Sequence, residues 1–466
     1  MKLFRGFANR RFYLEKINSP HDQFVLFKLL CARYNKIFIL ESLVGPKDLS
    51  EFSIIGFDPE LTITCDNEKF RIMNQEGQTE EAEVSDPLSQ LREVVPAVQD
   101  NRFRYLGGAV GYVCYDAVRF WEKLPPKRLK KLGYPLFEFG IFTDGILYNH
   151  VEKQAYYFSI RQNPRTKELK EIFQEERGQY EPTRFWCSTP QRTLSKTDFV
   201  KKVAKSKKYI QRGDIYQVVL SKRMKFKVRG NVLNVYERLR EINPSPYMYF
   251  FRMGERHILG SSPEMLLRIT GNCIETFPIA GTRPVSKNEK RNKDLRTELL
   301  GDEKEIAEHT MLVDLARNDL GKVSKYGTVR VKELMKVKKF SHVQHMISHV
   351  TGILRDGYDS HDALRAVFPA GTVSGAPKVR AMEIIDQLEP TLRGPYAGAI
   401  GYFSFNGSCD FAISIRSVFT NGNEAFIQTG AGIVMDSDPD KEWMETEHKA
   451  NALLNALQET KAGTIA

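Results

Sequence analysis

Many short hydrophobic segments, bounded by turn residues, occupy the first 160 residues, and few stretches between them are long enough for a crossover helix. Parallel strands need connections of a dozen or more residues, whereas antiparallel strands can be joined by tight turns. This part of the chain therefore predicts mostly antiparallel pairing. The clearest candidate strands are Phe38–Leu40, Phe52–Ile55, Leu61–Thr64, Ala109–Cys114 and Ile141–Tyr148.

From Ser195 onward, helices alternate with groups of strands. Ser195 and Asp198 have the spacing of a capping box, which predicts an amphipathic helix that ends before Gly213. A longer helix is predicted over Asp302–Asp319, and another begins near Asp438–Asp440. Strands are predicted at Tyr216–Leu220, Tyr247–Phe251, His257–Gly260 and Met265–Ile269. The whole pattern predicts an α+β fold in which sheets pack together and helices lie outside.

Composition divides the chain into three parts. Residues 1–160 form a predicted β-rich N-terminal part, and residues 195–466 form a larger C-terminal part. Residues 161–194 are polar and interrupted by Pro164, Pro182 and Pro190, which predicts a connector.

Several classes of protein are disfavoured by composition. With 466 residues that are 41% hydrophobic, the chain can form a sizeable core, and it has no apolar run long enough for a membrane helix. The basic N-terminus is not followed by the apolar core of a secretion signal. The six cysteines are scattered without a zinc-type or disulfide-type spacing. We therefore expect a cytoplasmic protein with no membrane partner.

The net charge of +11 is concentrated in Lys123–Lys131 and Lys196–Arg229. Such clusters fit a solvated surface, an anionic metabolite or nucleic acid. Because no nucleic-acid-binding module accompanies them, we expect no nucleic-acid partner. A basic nucleic-acid-binding protein is the alternative from another class, and salt-dependent retention on nucleic acid would identify it.

Two pairs of glutamates lie three residues apart, Glu305 with Glu308 and Glu442 with Glu445, each near the start of a predicted helix. This spacing places both carboxylates of a pair on one helix face. Four carboxylates that face each other would form an oxygen-rich site suited to Mg²⁺. The alternative is that these are ordinary exposed acids near helix N-termini, where the helix dipole favours negative charge.

Glycine-rich loops and a histidine pair are further candidates. The loops at Pro278–Thr282, Gly371–Lys378 and Gly430–Gly432 could bring backbone amides close to a carboxylate or phosphate, or could simply be tight turns. His345 and His349 could be ligands, one could carry a proton, or both could be buried and hydrogen-bonded.

Taken in order, many strings of this sequence resemble the chorismate-utilising enzymes, and among them most closely the large, synthase subunits of anthranilate synthases. The resemblance extends from about Phe24 to Leu457. The strings are Leu40–Ser42, Phe52–Gly56, Gly107–Tyr112, Gly213–Ser221, Asn243–Met248, Ser261–Glu264, Pro278–Thr282, Lys304–His309, Asp314–Gly321, Gly371–Lys378, Asp436–Pro439 and Glu442–Lys449. It implies that family's α+β fold, with inhibitor-site elements in the N-terminal part and the catalytic site in the C-terminal part.

The resemblance also implies a role for individual residues. Glu264 matches a general acid that protonates the departing ring 4-hydroxyl, and His345 matches the histidine of the second step, in which C2 loses its proton and pyruvate leaves. The four glutamates match a Mg²⁺ site for the dianionic chorismate. The substrate contacts are matched by Thr372, Tyr396, Arg416, Gly430, Gly432 and Lys449.

Two positions separate members of the family. In isochorismate and salicylate synthases a lysine before Val-Val-Leu activates water, but here Gln217 stands there and cannot act as a base. In many aminodeoxychorismate synthases a lysine attacks the ring from the centre of Pro-Ile-x-Gly-Thr, where this chain has Ala280. The resemblance therefore implies that ammonia is the nucleophile.

The implied reaction converts chorismate and ammonia to anthranilate and pyruvate in tryptophan biosynthesis. Since no cysteine lies in a glutaminase-like context, use of glutamine would require a separate glutamine amidotransferase subunit. Aminodeoxychorismate synthase component I is the alternative within the family. Two departures from the family pattern, His448 and Val285, are expected to change contacts near the opening of the site.

A site for tryptophan as feedback inhibitor is also implied. Its residues would be Glu41, Ser42, Pro246, Tyr247 and Met248. The alternative explanation of the string Asn-Pro-Ser-Pro is a proline turn beside a sheet edge.

Overall fold

The fold consists of antiparallel strands with helices packed outside them. The computed structural model describes residues 12–19, 21–44, 52–95, 98, 100, 102–125, 133–161, 163–174, 184–340 and 343–462. The strands are β1 (Tyr13–Ile17), β2 (Lys36–Glu41), β3 (Phe52–Phe57), β4 (Leu61–Asp66), β5 (Lys69–Asn74), β6 (Thr79–Glu83), β7 (Gly108–Val113), β8 (Phe137–Phe142), β9 (Asp144–Asn149), β10 (Gln154–Ser159), β11 (Trp186–Cys187), β12 (Gln191–Arg192), β13 (Gln217–Arg229), β14 (Tyr247–Met253), β15 (Arg256–Ser262), β16 (Met265–Thr270), β17 (Cys273–Thr276), β18 (Ile279–Pro284), β19 (Arg330–Lys339), β20 (Val343–Ile353), β21 (Gly375–Ala376), β22 (Ala399–Ser404), β23 (Cys409–Ile413), β24 (Ser417–Asn421) and β25 (Glu424–Ile433). The helices are α1 (Gln23–Arg33), α2 (Pro87–Val94), α3 (Thr166–Gln174), α4 (Lys196–Gln211), α5 (Leu233–Ile242), α6 (Glu289–Gly301), α7 (Glu303–Gly321), α8 (Ser360–Val367), α9 (Gly371–Ser374), α10 (Lys378–Leu388) and α11 (Pro439–Ala462).

The strands form two large sheets, and every strand pair between described residues is antiparallel, as predicted. The first sheet has the order β1-β10-β9-β3-β2-β14-β15-β24-β25-β13-β11, with β12 and β21 also paired to β13. The second has the order β18-β20-β17-β16-β23-β22-β7-β8-β4-β5-β6, with β19 paired to β20. The predicted α+β class with helices outside packed sheets is confirmed.

Strands from both ends of the chain are neighbours in both sheets. Leu40 of β2 is opposite Tyr249 of β14 in the first sheet, and Gly111 of β7 is opposite Gly401 of β22 in the second. The division into residues 1–160, 161–194 and 195–466 stays a prediction.

The main core lies where the two sheets face each other. The ring of Phe38 on the first sheet meets that of Phe142 on the second at 4.7 Å between centroids, and Tyr112 meets Phe251 at 6.1 Å. Each such ring buries enough apolar surface to stabilise the fold by about 1.5–3 kcal/mol. A second core lies under α1, α5 and α11, on the outer face of the first sheet.

Helix starts follow the sequence closely. Ser195 caps α4, because its side chain accepts a hydrogen bond from the Asp198 amide at 3.1 Å, and Asp302 caps α7 in the same way. The predicted strand Ile141–Tyr148 was wrong as one element, because the chain leaves the second sheet after β8 and enters the first with β9. None of the described helices is both long and apolar enough to cross a membrane.

Candidate active site

One cavity of about 650 Å³ collects the residues predicted for catalysis, substrate and metal. Its walls come from β13, β18, β20, β25, α7, α11 and the loops around α9 and β23. The predicted residues in its lining are Gln217, Glu264, Glu305, Glu308, His345, Thr372, Tyr396, Arg416, Gly430, Gly432, Glu442, Glu445 and Lys449. The two acidic helices thus face one shared cavity, although they are distant in sequence.

Glu305, Glu308 and Glu445 of α7 and α11 already have side-chain partners. Glu305 forms an ion pair with Arg283 at 3.2 Å, and Glu445 pairs with Lys449 at 2.6 Å. Glu308 accepts a hydrogen bond from the Gln217 amide at 2.8 Å. Within the described residues, no three His, Cys, Asp or Glu side chains are grouped closely enough to hold a metal ion.

The charge on these carboxylates nevertheless suits a hard cation. Burial, together with the neighbouring Glu305 and Glu445, raises the pKa of Glu308. Burial and Glu445 also raise the pKa of Glu442. A divalent cation among these oxygens would relieve their repulsion, and an all-oxygen donor set is the kind that Mg²⁺ prefers. The chemistry of these donors therefore suits Mg²⁺, although the carboxylates as placed do not converge closely enough to hold it directly.

Glu264 is a buried carboxyl group on the cavity wall, 7% exposed. Burial raises its pKa to about 8, although the charge of Lys449 and the nearby Thr372 hydroxyl oppose the rise. The Thr372 hydroxyl has no partner in hydrogen-bond geometry among the described residues. At neutral pH the Glu264 carboxyl is therefore mostly protonated, as a general acid must be.

His345 lies on β20 with one ring nitrogen fixed. Its Nδ1 is 3.1 Å from the carbonyl oxygen of Gly281 and 3.0 Å from the hydroxyl of Thr282. Because a carbonyl can only accept, we assign the ring proton to Nδ1, which leaves Nε2 with a free lone pair. Burial lowers the pKa of His345 to about 4, so the ring is neutral and can accept a proton.

Arg416 supplies a positive charge to the cavity. Its backbone has φ of +52°, a region that residues other than glycine rarely adopt. Burial lowers the pKa of the guanidinium, which still remains charged at neutral pH. A partly desolvated arginine beside Tyr396 can bind a planar carboxylate through parallel hydrogen bonds.

Two glycines keep the β25 wall close to its neighbours. A Cβ on Gly432 would lie 2.6 Å from Nε2 of Gln217, and one on Gly430 would lie 2.9 Å from the Tyr396 hydroxyl. Lys449 donates a hydrogen bond to the Gly430 carbonyl at 3.0 Å. A larger residue at either position would displace the Gln217 amide or the Tyr396 hydroxyl from its place on the wall.

The positions that separate family members both face the cavity. Gln217 donates through its nitrogen to Glu308, while its buried amide oxygen has no hydrogen-bond partner among the described residues. Ala280 lines the same space with a methyl group. The wall therefore offers an acceptor and no amine or base at either position.

Some residues of the cavity were not predicted. Thr282 and Lys304 lie in strings that the sequence singled out, but their positions facing the cavity depend on β18 and α7. His349 is outside the cavity lining, stacks on Phe277 at 4.1 Å and meets Glu275 at 3.1 Å. Of the two histidines, only His345 lines the cavity. Of the two residues that depart from the family pattern, His448 and Val285, His448 lines the cavity.

A second, smaller cavity of about 80 Å³ lies between the two sheets. All five residues predicted for the inhibitor line it: Glu41, Ser42, Pro246, Tyr247 and Met248. The Glu41 carboxylate accepts hydrogen bonds from Arg240 at 2.6 Å and from Tyr236 at 2.8 Å. Arg104 and Asp410 also line it and were missed, because nothing in their local sequence sets them apart.

Known proteins resemble the chain over almost its full length. A family model described as chorismate binding enzyme matches residues 36–455. Anthranilate synthase component 1 of Methanothermobacter thermautotrophicus is 47% identical, with 95% of this chain and 94% of that protein covered. The protein of the same name from Saccharolobus solfataricus is 41% identical, with 95% and 98% covered.

Solved structures agree with this likeness. The crystal structure of anthranilate synthase component I from Streptococcus pneumoniae matches with a TM-score of 0.76 and 34% identity, covering 88% of this chain and 94% of that one. The menaquinone-specific isochorismate synthase from Escherichia coli matches with a TM-score of 0.73 over 98% of this chain and 97% of that one. At 20% identity the second likeness concerns the fold alone.

Proposed function

The chain belongs to the chorismate binding enzyme family, and within it to the anthranilate synthase component 1 proteins, and we propose from this that it converts chorismate and ammonia to anthranilate and pyruvate. The choice of ammonia as the nucleophile rests on Gln217 and Ala280, whose side chains both line the cavity. Neither side chain can deprotonate water or attack the ring. The buried amide oxygen of Gln217 can instead accept a hydrogen bond from neutral ammonia.

The substrate would be held as a dianion. The Arg416 guanidinium and the Tyr396 hydroxyl would bind the enolpyruvyl carboxylate, with Thr372, Gly430, Gly432 and Lys449 as further contacts. The four glutamates Glu305, Glu308, Glu442 and Glu445 would hold Mg²⁺, which when bound supplies positive charge for the ring carboxylate.

The proposed reaction needs two proton transfers. In the first step Glu264 donates a proton to the C4 hydroxyl, which leaves as water while ammonia adds at C2. In the second step Nε2 of His345 takes the proton from C2. The ring becomes aromatic, the enolpyruvyl methylene gains a proton, and pyruvate leaves.

Ammonia derived from glutamine would come from a separate amidotransferase subunit. All six cysteines are among the described residues, and five of them are buried. Burial raises the pKa of the thiols of Cys31 and Cys65 to about 12. Such thiols are poor nucleophiles, so the chain offers no candidate for a glutaminase cysteine.

The second cavity is the proposed tryptophan site. Its support is that Glu41, Ser42, Pro246, Tyr247 and Met248 line one space between the sheets. β2 and β14 pair directly, with Glu41 opposite Met248, which explains why strings so distant in sequence meet there. The Asp410 carboxylate also lines this cavity, where it accepts hydrogen bonds from the Tyr247 hydroxyl at 3.0 Å and from Arg268 at 2.8 Å.

Incubation of the purified chain with chorismate, Mg²⁺ and either ammonium or glutamine tests the reaction. We expect the fluorescence of anthranilate with ammonium and almost none with glutamine. Strong turnover of glutamine by the chain alone would refute the separate subunit. A product mass that retains the enolpyruvyl group would instead indicate an aminodeoxychorismate synthase, and no turnover of chorismate would refute the proposal.

A further inference from the structure

Arg393 is a buried arginine, 1% exposed, that does not line the active-site cavity. Its guanidinium donates two hydrogen bonds to the Glu389 carboxylate, at 2.9 and 2.7 Å. It also donates to the backbone carbonyls of Val373, at 2.6 Å, and Val219, at 2.7 Å. One rigid planar group thus joins three separate segments of the chain.

The two carbonyl acceptors belong to walls of the active-site cavity. Val219 on β13 and Val373 at the end of α9 both line it. Tyr396 lines it as well, and its ring lies 5.9 Å from the central carbon of the Arg393 guanidinium. Thr372, the neighbour of Val373, carries a buried hydroxyl beside Glu264.

We propose that Arg393 is a positioning residue that sets the spacing between the substrate-binding walls at Val219, Val373 and Tyr396. The inference rests on the proposed binding of chorismate in this cavity. The guanidinium has donors in a fixed plane, so it can satisfy a carboxylate and two carbonyls at once. The compact ammonium of a lysine cannot span the same three acceptors.

Glu389 completes the arrangement from the other side. Its Oε1 accepts hydrogen bonds from the backbone amide of Ser221 at 2.7 Å and from the Ser221 hydroxyl at 2.8 Å. Ser221 is paired with Gly430 across β13 and β25. The carboxylate therefore orients Arg393 and also secures the strand that carries Gln217.

A purely structural role is the competing explanation, because any buried arginine contributes to stability. Arg165 provides a matched control. It donates to the Asp144 carboxylate at 2.8 and 2.7 Å and to the Phe57 carbonyl at 3.3 Å, and it lines neither the active-site cavity nor the cavity between the sheets. Arg393→Lys and Arg165→Lys thus remove comparable interactions, one behind the substrate walls and one away from them.

The test compares the two variants with the wild type, using ammonium as nitrogen source at a temperature well below both melting temperatures. We expect both variants to lower Tm. Arg393→Lys should also raise the KM for chorismate and lower kcat/KM by about 10-fold or more, because a misplacement of about 1 Å can lower a rate by about 100-fold. Arg165→Lys should leave that KM within about two-fold of wild type.

An Arg393→Lys variant with lowered Tm but unchanged KM and kcat would overturn the proposal, as would an equal KM change in Arg165→Lys. If Arg393→Lys does not fold, Glu389→Gln takes its place, since glutamine keeps one acceptor for Arg393 and Ser221. If neither Arg393→Lys nor Glu389→Gln folds, the hydrogen bonds of Arg393 and Glu389 are needed for folding itself, and the positioning role is rejected. A wild type without chorismate turnover would instead refute the proposed function.

Discussion

Replacement of Glu264 by glutamine should make the protein more stable at neutral pH while removing its catalytic acid. Burial raises the pKa of this carboxyl from its ordinary value of 4.5 to about 8. In the folded chain the group therefore stays protonated over a range in which the unfolded chain ionises it. Glutamine has nearly the shape of the protonated acid and does not ionise.

The magnitude follows from proton linkage. Between pH 4.5 and about 8, the unfolded state gains about 1.36 kcal/mol per pH unit from ionisation that the folded state forgoes. At pH 7 the wild type should thus be less stable than Glu264→Gln by roughly 3 kcal/mol. The difference should be small near pH 4.5, grow with pH, and level off above about 8.

Urea unfolding of both proteins, in buffers with a chelator and at several pH values across this window, measures the difference in the free energy of unfolding. Glu275→Gln is a control of opposite sign. Burial alone would raise the pKa of Glu275, but the hydrogen bond from His349 and the charge of Arg268 outweigh it and lower the pKa. Loss of Glu275 should therefore destabilise the protein at pH 7, and less so as the pH falls. A difference for Glu264→Gln that does not change with pH, or that favours the wild type at pH 7, would refute the reasoning.

Four further outcomes are expected. Arg416→Lys should raise the KM for chorismate by about ten-fold or more, because the parallel pair of donors is lost; an unchanged KM in initial-rate assays would contradict this. His345→Asn should slow the second step, so that the aminated intermediate accumulates and is detected by mass spectrometry. Absence of this intermediate together with normal anthranilate formation would contradict the role of His345 as the base. In the wild type, loss of activity through His345 should occur only as the pH falls towards about 4, because burial lowers its pKa to that value. Ser42→Phe should abolish inhibition by tryptophan without lowering turnover of chorismate, since the ring would fill the cavity between the sheets; inhibition equal to wild type would argue against that site.

Local sequence rules predicted the elements on which the candidate site stands. The side chains of Ser195 and Asp302 accept hydrogen bonds from nearby backbone amides. Because such capping residues can be recognised in the local sequence, the starts of α4 and α7 could be located without the structure. The spacing of Glu305 and Glu308 follows from helix geometry, and both line the cavity as expected.

Where the chain changes direction between the sheets could not be predicted in the same way. The segment Ile141–Tyr148 contains the turn-type pair Asp144-Gly145, which signals a break in the strand but not a change of sheet, and β8 and β9 belong to different sheets. The break coincides with Asp144, whose buried carboxylate accepts hydrogen bonds from Tyr157 at 2.8 Å and from Arg165. Those partners lie in later segments of the chain, so the reason for the change of sheet is tertiary.

The sequence by itself determined the class of fold, the helix starts, the pairs of acids and the family, because each depends on neighbours along the chain or on a series of short strings. Only the tertiary structure decided which side chains carry charge. Burial keeps Glu264 protonated and His345 neutral, and Arg283 engages Glu305 across two elements. Desolvation and charge pairing depend on the surroundings of a group in three dimensions, and a linear pattern does not contain that information.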